Sequence, residues 1–262
     1  MSRFLRNLIV AGLSFFLIIF LVKPGFSKGN IQTLMVYSGA GMRKPMDEIA
    51  SLFKKKYGIE IQYNYAGSNA LLSQMELTRK GDVYMPGETY YIEIAEEKGL
   101  IGYKQPVAYH IPVITVPKGN PAKIKTIKDL ARPGVKLVWG DPKAAAIGRL
   151  ANKILEKNGI KDQVWKNIVA TVPTMNELIV YIAMKQADAS INWGDVVISV
   201  EDIEIVKIPK TENLIKIIPI GVLKFSKDQE IAKKFVDFCA SAEGKSVFDK
   251  YGFPKYPNPE YE

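Results

Sequence analysis

Residues 136–160, KLVWGDPKAAAIGRLANKILEKNGI, decide the fold class. Positions 136–139 form an apolar strand, and Gly140-Asp141-Pro142 turns the chain. The spacing then predicts a helix over 145–158, with Ile147, Leu150, Ala151, Ile154 and Leu155 on one face and Gly159 closing it. Strand, small-residue loop and helix in succession make the repeating unit of an α/β protein. The unit recurs along the chain. A strand over 33–37 leads through Ser38-Gly39-Ala40-Gly41 to a helix over 45–57 that Gly58 stops. A strand over 59–65 leads through Ala66-Gly67-Ser68 to a helix over 69–79, with Ser68 where an N-cap belongs. Thr174-Met175-Asn176-Glu177 has the capping-box form and opens a helix that runs to 184. This alternation predicts an α/β protein with largely parallel sheets.

Two long extended runs, 107–116 and 215–224, stand apart from the repeats. Each has the length to cross between two lobes, which would put both termini in the first lobe and make the second a continuous insertion. The expected division is a signal segment at 1–27, one lobe from 28–109 plus 218–262, and a second lobe from 110–217. A single doubly wound domain is the alternative organisation.

The 262 residues are 47% hydrophobic and 24% charged, a globular composition that excludes a disordered or low-complexity scaffold. One Cys and one His exclude a disulfide framework and multi-Cys or multi-His zinc sites, so no cation-binding metal centre is expected. Residues 1–27 have the form of a secretory signal: Arg3 and Arg6, an apolar run over 8–22, and small residues before a cut after Ser27. The run is short for a permanent span, so cleavage is favoured over an uncleaved anchor. The formal charge of +9 is spread over lysine-rich helix surfaces, which argues against a nucleic-acid patch in an exported chain. No G-x-S-x-G, Walker loop or H-E-x-x-H is present, and the protein is not expected to be an enzyme or to need a cofactor. His110 lies in an apolar run and reads as a structural histidine. Cys239 reads as a buried thiol, and Tyr90-Tyr91 as one exposed and one buried face of a helix.

The loops carry the chemistry. First-turn amides of a helix lack intrahelical partners, and the macrodipole makes that end partly positive. Several such ends facing one cleft would hold an oxyanion without Lys or Arg, and small side chains would let it reach the backbone. In an α/β sheet that cleft lies at the carboxyl ends of the strands.

At this point the sequence resembles the periplasmic molybdate/tungstate-binding proteins of ABC importers. The segments GIEIQYNYAGSNALLSQME, GDVYMPGETYYIEIAEEKGLI, ITVPKGNP, KDLARPGVKLVWGDPKAAAIGRLANKILEKNGI, QADASINWGD, IPIGVLKFS and EGKSVFDKYGF follow the family's order over nearly all of the chain after residue 27. The resemblance implies a two-lobe, type II periplasmic-binding-protein fold with mixed sheets, two strand crossovers and a ligand cleft between the lobes. It implies a monomer that captures molybdate or tungstate outside the cytoplasm and delivers it to membrane permease subunits. It also implies site residues: the Ser68 hydroxyl, the amides near Ala146-Ile147, the Met175 amide, and Trp193 where the family has tyrosine. Gly41 stands where the family has a second serine, which leaves Ser38 as the substitute hydroxyl. These departures keep open a different ligand on the same fold: sulfate, phosphate or ferric ion.

Overall fold

A computed structural model describes residues 32–143 and 145–262; the signal segment read at 1–27 lies outside the described residues. In chain order the elements are β1 (Thr33–Gly39), α1 (Arg43–Tyr57), β2 (Glu60–Ala66), α2 (Ser68–Thr78), β3 (Val83–Met85), α3 (Thr89–Glu97), β4 (Ile101–His110) and β5 (Pro112–Pro117). There follow β6 (Leu137–Gly140), α4 (Ala146–Lys157), α5 (Lys161–Trp165), β7 (Ile168–Val172), α6 (Met175–Ala183), β8 (Ser190–Trp193) and α7 (Gly194–Val197). The chain ends with β9 (Ile203–Lys207), β10 (Lys216–Leu223), α8 (Gln229–Ala240) and α9 (Ala242–Lys250).

Three sheets organise these elements. The first is five-stranded in the order β2-β1-β3-β10-β4, the second three-stranded in the order β8-β5-β9, and the third pairs β6 with β7. The expectation of largely parallel sheets needs correction. β1 runs parallel to β2 and β3, and β6 parallel to β7. However, β10 is antiparallel to β3 and β4, and β5 is antiparallel to both neighbours. The extended run at 107–116 divides at Ile111. Its first part pairs in the five-stranded sheet and its second part in the three-stranded one, so a single residue separates β4 from β5. Between β5 and β6 the chain forms a 3-10 turn at Ile127–Ala131.

Helix faces explain the packing. α1 buries Pro45, Met46, Ile49 and Phe53, a stripe at helical spacing, and Gly58 ends it at φ 72°, a conformation that costs glycine no steric penalty. That stripe packs with Leu34, Val36, Ile218, Phe235 and Phe248 on one face of the five-stranded sheet. Cys239 is part of this cluster, and burial pushes its thiol well above the ordinary range. The opposite face packs Tyr37 and Tyr84 against Leu71, Met75, Ile92 and Ala95 of α2 and α3. Tyr91 joins this cluster at 8% exposure, while Tyr90 is 54% exposed, as the two-faced reading expects. A third cluster joins β5, β6 and β8 to α4 and α6 through Ile114, Val138, Trp139, Ile154, Leu178 and Ile191.

Two glycines fix the start of α4. A Cβ on Gly148 would lie 2.1 Å from the Gly140 carbonyl oxygen, and one on Gly140 would lie 3.1 Å from the Gly148 backbone. Strand end and helix start therefore touch backbone to backbone, and the first turn of α4 is held against the end of β6.

Candidate functional site

A cavity of about 400 Å³ opens where the carboxyl ends of β1, β2 and β3 face the starts of α4, α6 and α7. Six of the seven residues expected in the site line it: Gly41, Ser68, Ala146, Ile147, Met175 and Trp193. Ser38 is not brought to it. Its side chain is wholly buried, and its hydroxyl lies 3.5 Å from the Gly39 carbonyl.

The starts of α2, α4 and α6 meet here, and they are capped differently. α2 begins at Ser68, with Gly67 as N-cap and no side-chain cap. The expected capping role of Ser68 is therefore corrected: Gly67 has the extended backbone of the cap and Ser68 is already helical. Its Oγ instead accepts the Gly87 N–H at 3.0 Å, so its own hydrogen remains to donate. Tyr84 Oη donates to the Ser68 carbonyl at 2.8 Å, and burial pushes the Tyr84 phenol up, so it stays a neutral donor. α4 also lacks a side-chain cap, and neither α2 nor α4 has an acidic residue in its first turn. α6 is capped by Thr174, whose Oγ1 accepts from the Glu177 amide at 3.3 Å and donates to the Glu177 carboxylate at 2.8 Å. That cap uses the Glu177 amide and leaves the Met175 amide free of it.

Gly41 sits in a 3-10 turn, Ala40–Met42, between β1 and α1. A Cβ built there meets no atom within 4 Å, so the position faces open space.

The cavity also holds groups that the sequence reading did not place there. His110 ends β4 and stacks on Trp193, with ring centroids 3.6 Å apart and planes 15° from parallel. Both of its ring nitrogens face oxygen acceptors. Nδ1 lies 3.1 Å from the Gly87 carbonyl, and Nε2 lies 3.0 Å from Asp195 Oδ1 in α7. The second contact is close enough for an ion pair yet lacks the angle of a hydrogen bond. His110 Nε2, Asp195 Oδ1 and Asn192 Nδ2 are thus buried without hydrogen-bond partners among the described residues. The expected role of His110 as a satisfied structural side chain is corrected on this point. At the cavity mouth Arg149 of α4 reaches Tyr91 Oη at 3.2 Å and Glu88 Oε1 at 3.5 Å. The hydrogen bond to Tyr91, with smaller charge contributions from Tyr91 and Glu88, outweighs burial and raises the Arg149 pKa. The one local signal for Asp195 was Trp193-Gly194-Asp195 at the carboxyl end of a strand, and Glu88 stood out only as one of three carboxylates close in sequence with Glu76 and Asp82; nothing local marked Arg149.

Among the described residues no Lys or Arg lines the cavity, and no group of three or more His, Cys, Asp or Glu side chains could hold a metal ion. The starts of α2, α4 and α6 and the Ser68 hydroxyl thus line one cavity of an α/β protein. The chain belongs to the bacterial extracellular solute-binding protein family, whose profile matches residues 34–254. It is similar to the molybdate-binding protein ModA of Mycobacterium tuberculosis, with 26% identity over 235 residues and 88% of each chain covered. Its fold is similar to that of the Azotobacter vinelandii periplasmic molybdate-binding protein, at TM-score 0.66 and 16% identity, covering 84% of this chain and 98% of that one. It is also similar to that of PEB3 from Campylobacter jejuni bound to L-phospholactate, at TM-score 0.68 and 24% identity, covering 85% of this chain and all of the other.

Proposed function

We propose that this protein is the extracytoplasmic capture component of an ABC importer and binds a tetrahedral oxyanion of the molybdate or tungstate kind. The observation that carries the reading is the meeting of the uncapped starts of α2 and α4, the Met175 amide and the Ser68 hydroxyl on one cavity. Each hydrogen bond to a charged ligand contributes about 1.5–3 kcal/mol, and each helix start adds about 0.3–1 kcal/mol. Ser68, Ala146, Ile147 and Met175 supply the donors in this reading, and Trp193 forms part of the wall. Ser38 is left without a ligand role. The chain acts as a monomer after removal of residues 1–27.

The mechanism follows from the crossing strands. In this reading the two lobes join where β4 gives way to β5 and where the chain enters β10, which keeps His110 with the five-stranded sheet and moves the expected divisions at 109/110 and 217/218 by one or two residues. An anion bound between them favours the closed arrangement by as much as it binds that arrangement more tightly. Closure then aligns both lobe surfaces for the permease.

The test is a thermal-shift titration against molybdate, tungstate, sulfate, phosphate and ferric citrate. A ligand at one hundred times its Kd stabilises the native state by about 2.7 kcal/mol. For a chain of this size that is a rise in Tm of about 5–11 °C. The expected result is a shift with molybdate and tungstate. A shift with ferric citrate alone, or with none of the panel, would overturn the reading.

A further inference from the structure

The cavity is larger than a bare tetrahedral oxyanion. Four oxygens around a central atom occupy roughly the space of four waters, about 120 Å³ at about 30 Å³ each. The cavity measures about 400 Å³. That space is not simply the gap of a cleft awaiting closure, because contacts already span it. Arg149 reaches Tyr91 and Glu88 at the mouth, and His110 stacks on Trp193 and meets Asp195 at the floor.

The space beyond the donors has a different character. Met42, Pro173, Met175, Trp193 and Val196 line it, and they offer a ligand hydrocarbon surface. Water in such a space finds few hydrogen-bond partners, so its displacement by an apolar group is favourable. Gly41 points the same way. An open position at the head-binding end forgoes a hydroxyl that a small anion would use, yet leaves room for a ligand that projects past it.

We propose that the site takes an oxyanion carrying a short organic substituent. The helix-start amides and Ser68 hold the tetrahedral head, and the apolar walls cover the substituent. The proposal rests on the oxyanion reading above and extends it from the head to the whole ligand.

The experiment is titration calorimetry of the full chain at one pH with molybdate, inorganic phosphate, and methyl-, ethyl- and propylphosphonate. The phosphonates share one head and differ only in methylenes. Each buried methylene tightens binding about fourfold. The expected result is therefore a stepwise gain from methyl to propyl, with the binding heat capacity growing more negative at each step. If molybdate or phosphate binds while longer phosphonates bind no better than the methyl compound, the substituent has no place and the proposal falls with the oxyanion reading intact. If neither the bare oxyanions nor any phosphonate binds, the oxyanion reading itself falls and takes the proposal with it.

Discussion

Replacing Ser68 with alanine tests the head-binding end at a single oxygen. Among the described residues the side chain makes one hydrogen bond, accepting from the Gly87 amide at 3.0 Å, while Tyr84 holds its carbonyl at 2.8 Å. The hydroxyl hydrogen has no acceptor among the described residues and lies on the cavity wall. In Ser68→Ala two losses therefore occur at different places. The Gly87 amide loses its partner with or without ligand, which costs the fold about 1 kcal/mol and lowers Tm by about 2–4 °C. The bound anion loses a charge-assisted hydrogen bond of about 1.5–3 kcal/mol, a loss of affinity of about 10- to 160-fold. Thermal unfolding without ligand reads the first loss, and calorimetric titration with whichever oxyanion gives the largest stabilisation reads the second. A variant that unfolds a few degrees early yet binds within twofold of the parent would remove Ser68 from the site. It would leave the hydroxyl a purely structural role toward Gly87.

Three further outcomes are expected. Gly41→Ser introduces a hydroxyl into open space at a position whose φ is not left-handed, so the fold should change by no more than about 0.5 kcal/mol. Its affinity for molybdate should rise by up to about tenfold in titration, and weaker binding would show that the open position faces elsewhere. Gly148→Ala drives a Cβ to 2.1 Å from the Gly140 carbonyl, so chemical denaturation should show a loss of at least about 1–3 kcal/mol; parent-like stability would mean the strand–helix contact is loose. A double-mutant cycle of His110→Ala and Asp195→Ala should return a coupling of about 0.5–3 kcal/mol in unfolding free energy, whereas additive effects would show that the 3.0 Å approach has no energetic content.

The pattern of the fold was legible because it is local. The hydrophobic stripe of α4, the glycine stop of α1 and the small-residue loops before helices all follow from near neighbours in sequence, and each lies close to where spacing puts it. Strand direction was not legible. Nothing in 215–224 says that β10 enters the five-stranded sheet between β3 and β4 and runs against both. The site divides along the same line. Ser68, Ala146 and Met175 were legible as residues near helix starts because a helix start is a local event. His110 and Asp195 could not, because their meeting depends on two segments 85 residues apart in sequence that the crossing strand brings to 3.0 Å. The reading of Ser68 as a cap shows a subtler limit. Serine before a helix has two uses for its oxygen, and only the position of the Gly87 loop decides between them.

The stack of His110 on Trp193 also makes the protein its own optical instrument. His110 belongs to the last position of a strand in one sheet, and Trp193 to the last position of a strand in another; one residue after His110 the chain changes sheets. Any bend at that joint slides imidazole across indole. The other two tryptophans lie elsewhere, Trp139 in the core and Trp165 on the surface, each with its indole hydrogen on Asn152. A change in indole emission that disappears in Trp193→Phe would thus report the angle of the joint, and occupancy of the cleft would be readable as light, without a label and in real time.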